Sequence, residues 1–224
     1  MDRELFVSEQ IKQQGLLPLY YHDNSTVCIR IARALFDAGI RCFEFTNRGD
    51  KALENFKELV KEKNSAMKES LLGVGTIKTS NDASKYIEAG ADFLVSPVFD
   101  NGVGDTAYLN KILWIPGCMT PSEINMSQQA GCTLIKLFPG NVLGPSFVEA
   151  IKPLFRDLDF LITGGVDATE ESIVSWFKAG VVGIGMGSKL ISKSVLEKED
   201  YEGLKTKAKQ LVAIIQKIKT AGQI

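Results

Sequence analysis

Two short apolar runs each enclose a single charged residue: Cys42-Phe43-Glu44-Phe45-Thr46 and Leu134-Ile135-Lys136-Leu137-Phe138. Both have the length and composition of strands, and side chains alternate between the two faces of a strand. Phe43 and Phe45 then share one face, leaving Cys42, Glu44 and Thr46 on the other. Ile135 and Leu137 likewise oppose Lys136. A carboxylate held in an apolar interior is costly unless it is paired or its pKa rises. A desolvated lysine has a lowered pKa and becomes a usable amine nucleophile. A structural ion pair between Glu44 and Lys136 is the alternative. Such pairs are expensive relative to apolar packing, so chemistry is the better default for them.

Glycine gathers in two further places, Thr163-Gly164-Gly165 and Gly185-Met186-Gly187-Ser188. Bare backbone N–H groups at such sites can hold phosphate, helped by a helix N-terminus. Tight turns alone would also explain these glycines. Gly73-Val74-Gly75-Thr76 offers another donor of the same kind. Arg48, in Thr46-Asn47-Arg48-Gly49, has the planar fork that holds a carboxylate, though a solvated loop arginine is an equal reading. His22 is expected in a loop or capping role.

The elements that must position these groups repeat along the chain. Strand-like runs occur at 16–21, 42–46, 71–76, 93–98, 113–118, 134–138, 160–165 and 182–187, with starts 20 to 29 residues apart. Each interval holds one helix and two short loops, so the predicted fold is a single-domain (β/α)₈ TIM barrel over residues 1–224. Catalytic groups in such barrels sit at the C-terminal ends of the strands. Ala-Gly pairs at 38–39, 89–90, 130–131 and 179–180 are expected to end helices, and Thr120-Pro121-Ser122-Glu123 to open one with a capping box. An N-terminal helix and a C-terminal amphipathic helix near 201–220 flank the repeats. The latter places Leu204, Ala208, Leu211, Ile215 and Ile218 on one face. The stretch 100–108, DNGVGDTAY, is read as an extended loop after the fourth strand. A dinucleotide fold is rejected: the glycine spacing at 183–188 is wrong and too little chain follows.

Composition narrows the chemistry further. With one histidine in 224 residues, no site of several histidines can hold a metal, and none is expected. The four cysteines contain no CxxC pair and read as reduced apolar fillers in a cytoplasmic protein. A formal net charge of −1 argues against nucleic acid as a partner. No run approaches a membrane span.

As an ordered set, Glu44-Phe45-Thr46-Asn47-Arg48, Gly73-Val74-Gly75-Thr76, Ser96-Pro97, Ile115-Pro116-Gly117, Lys136-Leu137-Phe138-Pro139 and Thr163-Gly164-Gly165 resemble the 2-keto-3-deoxy-6-phosphogluconate / 4-hydroxy-2-oxoglutarate aldolases. The resemblance implies a cofactor-free, metal-independent class I aldolase, homotrimeric, acting on a small and often phosphorylated 2-keto acid. It implies Lys136 as the Schiff-base lysine and Glu44 as the general acid/base. Arg48 and Thr76 match the positions that hold the pyruvate carboxylate, and Thr163, Gly164, Gly165, Gly187 and Ser188 the phosphate region. Pro97 and Phe138 match pocket walls. Asn47, Gly140 and the 100–108 stretch depart from the common pattern and leave the aldehyde half open, a galactonate-type epimer included. A phosphosugar isomerase or epimerase using Glu44 as base, and a non-catalytic sensor of a phosphorylated metabolite, are the competing readings.

Overall fold

A computed structural model describes residues 2–221. The strand segments are β1 Leu16–Tyr20, β2 Cys42–Thr46, β3 Leu71–Gly75, β4 Phe93–Val95, β5 Leu113–Ile115, β6 Gly117–Cys118, β7 Leu134–Leu137, β8 Asp159–Thr163 and β9 Gly183–Met186. They form one sheet in the order β5-β4-β3-β2-β1-β9-β8-β7-β6. Every pairing is parallel. The fifth run expected from the sequence is not one strand but two halves, β5 and β6, parted at Pro116, which has no N–H to give a ladder. The first half pairs with β4 and the second with β7, so the broken strand closes an eight-membered ring. The Pro116 carbonyl still accepts from the Lys136 N–H at 2.9 Å.

The surrounding helices are α1 Arg3–Gln14, α2 Ser25–Asp37, α3 Ala52–Ala66, α4 Ser80–Glu88, α5 Asn101–Leu109, α6 Pro121–Gln129, α7 Gly140–Leu143, α8 Pro145–Ile151, α9 Glu170–Ala179, α10 Lys193–Glu197 and α11 Tyr201–Thr220. The four Ala-Gly pairs close α2, α4, α6 and α9, with φ from 83° to 105° at the glycines. The Thr120–Glu123 capping box forms. The 100–108 stretch is a correction: it folds as α5, capped by the Asp100 carboxylate, which accepts from the Val103 N–H at 2.9 Å. Gly104 lets the helix lie directly on the Trp114 ring, where a Cβ would not fit.

Apolar side chains divide into two layers. Phe43, Phe45, Ile135 and Leu137 belong to the layer between strands and helices. Leu17, Cys42, Phe93, Val95, Leu113, Ile115, Leu134 and Leu161 fill the barrel itself, where Val7 and Ile11 of α1 join them as a plug. The five residues expected on the inner face of α11 are all buried. That helix also holds α1 in place: Gln216 donates to the Gln13 carbonyl at 3.0 Å, and the Lys219 amine donates to that of Lys12. Among the described residues, no helix is long and apolar enough to cross a membrane.

Candidate active site

Strand alternation turns Glu44 and Lys136 into the barrel, where they are 1% and 5% exposed. Each lies two residues before a residue that lines the mouth, Thr46 and Phe138 respectively. Both therefore sit one inward layer deeper than the opening. The Lys136 Nζ is 5.1 Å from the centroid of the Phe138 ring. Lys136 and Glu44 make no direct ion pair within 4.0 Å, so the tightly closed structural pair does not form. Their charges nonetheless act on each other. Burial raises the Glu44 carboxyl above the usual carboxylate range, against the opposing pull of Lys136 and Arg48. Burial lowers the Lys136 amine; Glu44 opposes that shift and Arg48 adds to it. A neutral amine is thereby made accessible nearer neutral pH.

Space for these polar groups comes from glycines on the inward positions of neighbouring strands. A Cβ at Gly75 would overlap the Glu44 carboxylate, and one at Gly185 would overlap the Thr163 hydroxyl. At Gly73 the Phe93 ring takes the same kind of room. The sequence suggested these glycines as backbone donors. In the fold, Gly75 and Gly185 are holes that polar side chains fill.

Above this layer opens a cavity of about 420 Å³. Seven of the expected residues wall it: Arg48, Phe138, Thr163, Gly164, Gly165, Gly187 and Ser188. Thr76 and Pro97 do not; they stand further around the ring, after β3 and β4, each half-buried. Thr76 nevertheless holds a left-handed φ of 64°. A β-branched residue there carries strain of about 1–3 kcal/mol, which the surrounding structure must impose.

The Gly164, Gly165, Gly187 and Ser188 N–H groups donate to no backbone carbonyl among the described residues, and all four residues line the cavity. Gly140, where the resemblance leads one to expect alanine, is pressed against the Gly164 carbonyl and has no room for a Cβ. The Thr163 hydroxyl is sealed from solvent with no hydrogen-bond partner among the described residues. The expected helix N-terminus is absent: Gly187 starts a single turn, its carbonyl accepting from Leu190 and Ile191 at 2.9 Å, and α10 begins only at Lys193.

Sequence reasoning missed several wall residues, among them Tyr20, Tyr21, Met186 and Lys189. Lys189 pairs with Asp167 at 2.7 Å, bridging the loops after β8 and β9. A cation next to Ser188 was the available signal for it. His22 has the expected local role: its Nδ1 accepts from the Asn24 N–H at 3.0 Å.

An eight-stranded α/β barrel with a buried lysine and carboxylate below a donor-lined mouth is the framework of a barrel enzyme. The family model described as KDPG and KHG aldolase matches residues 7–207, and the chain belongs to that aldolase family, whose members are carbon–carbon lyases. A 2-dehydro-3-deoxy-phosphogluconate aldolase of Pseudoalteromonas atlantica is 29% identical over 210 residues, 92% of this chain and 94% of that protein. The KHG/KDPG aldolase of Escherichia coli is 30% identical over 185 residues, 82% and 84% of the two chains. Among solved structures, the 4-hydroxy-2-oxoglutarate aldolase/2-deydro-3-deoxyphosphogluconate aldolase from TTHB1 superposes with a TM-score of 0.80 at 29% identity, covering 96% of this chain and 99% of that one.

Proposed function

We propose that this chain cleaves 2-keto-3-deoxy-6-phosphogluconate to pyruvate and glyceraldehyde 3-phosphate, 4-hydroxy-2-oxoglutarate to pyruvate and glyoxylate, or both, through a Schiff base on Lys136. The observation that carries the reading is the buried Lys136 amine, lowered by desolvation and set in the same interior as the Glu44 carboxyl. Neutral Lys136 attacks the C2 carbonyl and gives a carbinolamine. Glu44 relays the protons that let water leave. The protonated imine then accepts the electron pair of the C3–C4 bond as the C4 hydroxyl loses its proton, which releases the aldehyde and leaves an enamine. Protonation at C3 and hydrolysis return pyruvate and the free amine.

Arg48 and Thr76 hold the keto-acid carboxylate, with Arg48 presenting a fork suited to it. Pro97 and Phe138 bound the pocket. The distal phosphate lies against the N–H groups of Gly164, Gly165, Gly187 and Ser188, with Thr163 beside them. The reaction needs neither metal nor cofactor. The same reading carries a homotrimer, a cytoplasmic location and one functional domain over 1–224. Exposed apolar side chains such as Tyr108, Leu109 and Val142 support subunit contact.

The test is borohydride reduction in the presence of pyruvate, followed by peptide mapping. An adduct on the peptide containing Lys136 is expected; its absence sinks the reading. A coupled pyruvate-release assay across phosphorylated and unphosphorylated 2-keto acids, both C4 epimers included, then defines the aldehyde half. Solvent deuterium exchange without pyruvate release would indicate an isomerase instead.

A further inference from the structure

Asn47 directly precedes Arg48 and is bonded to the neighbour of Thr76, the two groups assigned to the keto-acid carboxylate. Its backbone N–H donates to the Gly75 carbonyl at 2.8 Å, the residue immediately before Thr76. Arg48, the next residue along, turns back on the chain, its N–H donating to the Thr46 carbonyl at 2.9 Å. The Asn47 side chain accepts from the Tyr86 hydroxyl at 2.9 Å. Tyr86 comes from α4, beyond Thr76 in the chain, and is 2% exposed. Its ring stands edge-on to Phe56 of α3 at 5.1 Å, so the phenol has a fixed position from which to donate. Burial pushes that phenol up, which keeps it protonated as a donor.

We propose that Tyr86 is a positioning residue for the carboxylate clamp, acting through Asn47. The hydroxyl pins the Asn47 amide, and the amide fixes the turn that carries Arg48 at the wall of the cavity. Neither Tyr86 nor Asn47 lines the cavity. The proposal rests on Arg48 and Thr76 being the carboxylate's partners, so its test must separate the two ideas.

Borohydride trapping of pyruvate and of methyl pyruvate provides that separation, because both present the same ketone to Lys136 and only one carries the anion. In the native protein pyruvate is trapped at lower concentration than its ester. Tyr86→Phe, which removes one oxygen, raises the half-saturating concentration of pyruvate about 5- to 10-fold, in line with one hydrogen bond to a buried amide. The value for methyl pyruvate stays within about 2-fold, and so does kcat in the cleavage assay. Asn47→Ala gives the same selective loss, and the double variant is no worse than either single one, since both act through one bond.

Equal losses for acid and ester, no loss for either, or additive losses in the double variant would overturn the proposal. Arg48→Ala is the control. If it erases the preference for the acid while Tyr86→Phe does not, the positioning role alone fails. If Arg48→Ala leaves the preference intact, the clamp itself has been misassigned. Thermal unfolding of each variant identifies any loss caused by misfolding, and an unfolded Tyr86→Phe protein leaves Asn47→Ala to decide the matter.

Discussion

Gly75 on β3 lies against the Glu44 carboxylate of β2, so closely that the space of a Cβ at position 75 is already occupied by the carboxylate oxygen. The two strands pair in register, Glu44 opposite Gly73 and Thr46 opposite Gly75, which sets the side chain diagonally across the glycine. A small residue on one strand therefore fixes where a buried carboxylate on the next can stand.

Gly75→Ala is expected to displace the carboxylate rather than unfold the barrel. The obstacle is the end of a flexible side chain, and Gly75 has no left-handed φ that alanine would strain. Aldol cleavage should fall about 10²-fold, within the range that one positioned acid/base supplies. The apparent Tm should move by only a few degrees. Single-turnover kinetics and calorimetry read the two quantities; parallel loss of both would show that position 75 serves the fold alone.

The acid limb of the cleavage rate should report Lys136. Burial lowers this amine, so the neutral form appears as pH rises, at lower pH than for an ordinary lysine. kcat/KM is expected to climb with pH below that point and flatten above it. Arg48→Ala removes a charge that also lowers Lys136, so its limb should shift to higher pH. A limb that moved the other way would contradict the electrostatic account.

Stability should respond to Lys136 in the opposite sense to activity. Its folded pKa lies below the unfolded value, so folding is penalised while the amine is protonated, fully at low pH and less as pH rises through the ordinary lysine range. Lys136→Met therefore abolishes turnover and raises Tm. The gain is largest below about pH 4, where Glu44 is protonated in both states and loses nothing with its partner. Calorimetry at several pH values measures it; a destabilised variant at low pH would refute the sign.

Lys219 gives a second pH signature, far from the mouth. Burial lowers its amine to about 8 while it caps the carbonyl end of α1. The burial penalty is complete below that pH and fades as pH rises toward the usual lysine value. The Tm of the native protein should gain on that of Lys219→Met between about pH 8 and 10. A difference independent of pH would mean that the capping bonds, not the charge, set the balance.

Much of this protein was decided by residue order. The recurrence of strand-length apolar runs defines an eightfold barrel, because each run must be buried on both faces and each interval holds one helix. Alternation alone turns Glu44 and Lys136 inward, since the period of a strand leaves no other face once Phe43, Phe45, Ile135 and Leu137 are taken by the helices. What alternation does not encode is distance across the ring. That Gly75 makes room for Glu44, that Gly140 admits the Gly164 carbonyl, and that Tyr86 reaches Asn47 from 39 residues away all depend on how neighbouring strands and helices close upon one another. The split of the fifth strand at Pro116 and the helix over 101–109 likewise follow from contacts: Pro116 lacks the donor a continuous ladder needs, and Gly104 fits against a tryptophan that the local sequence does not foresee. Residue order sets which groups face inward; packing between distant segments sets which of them meet.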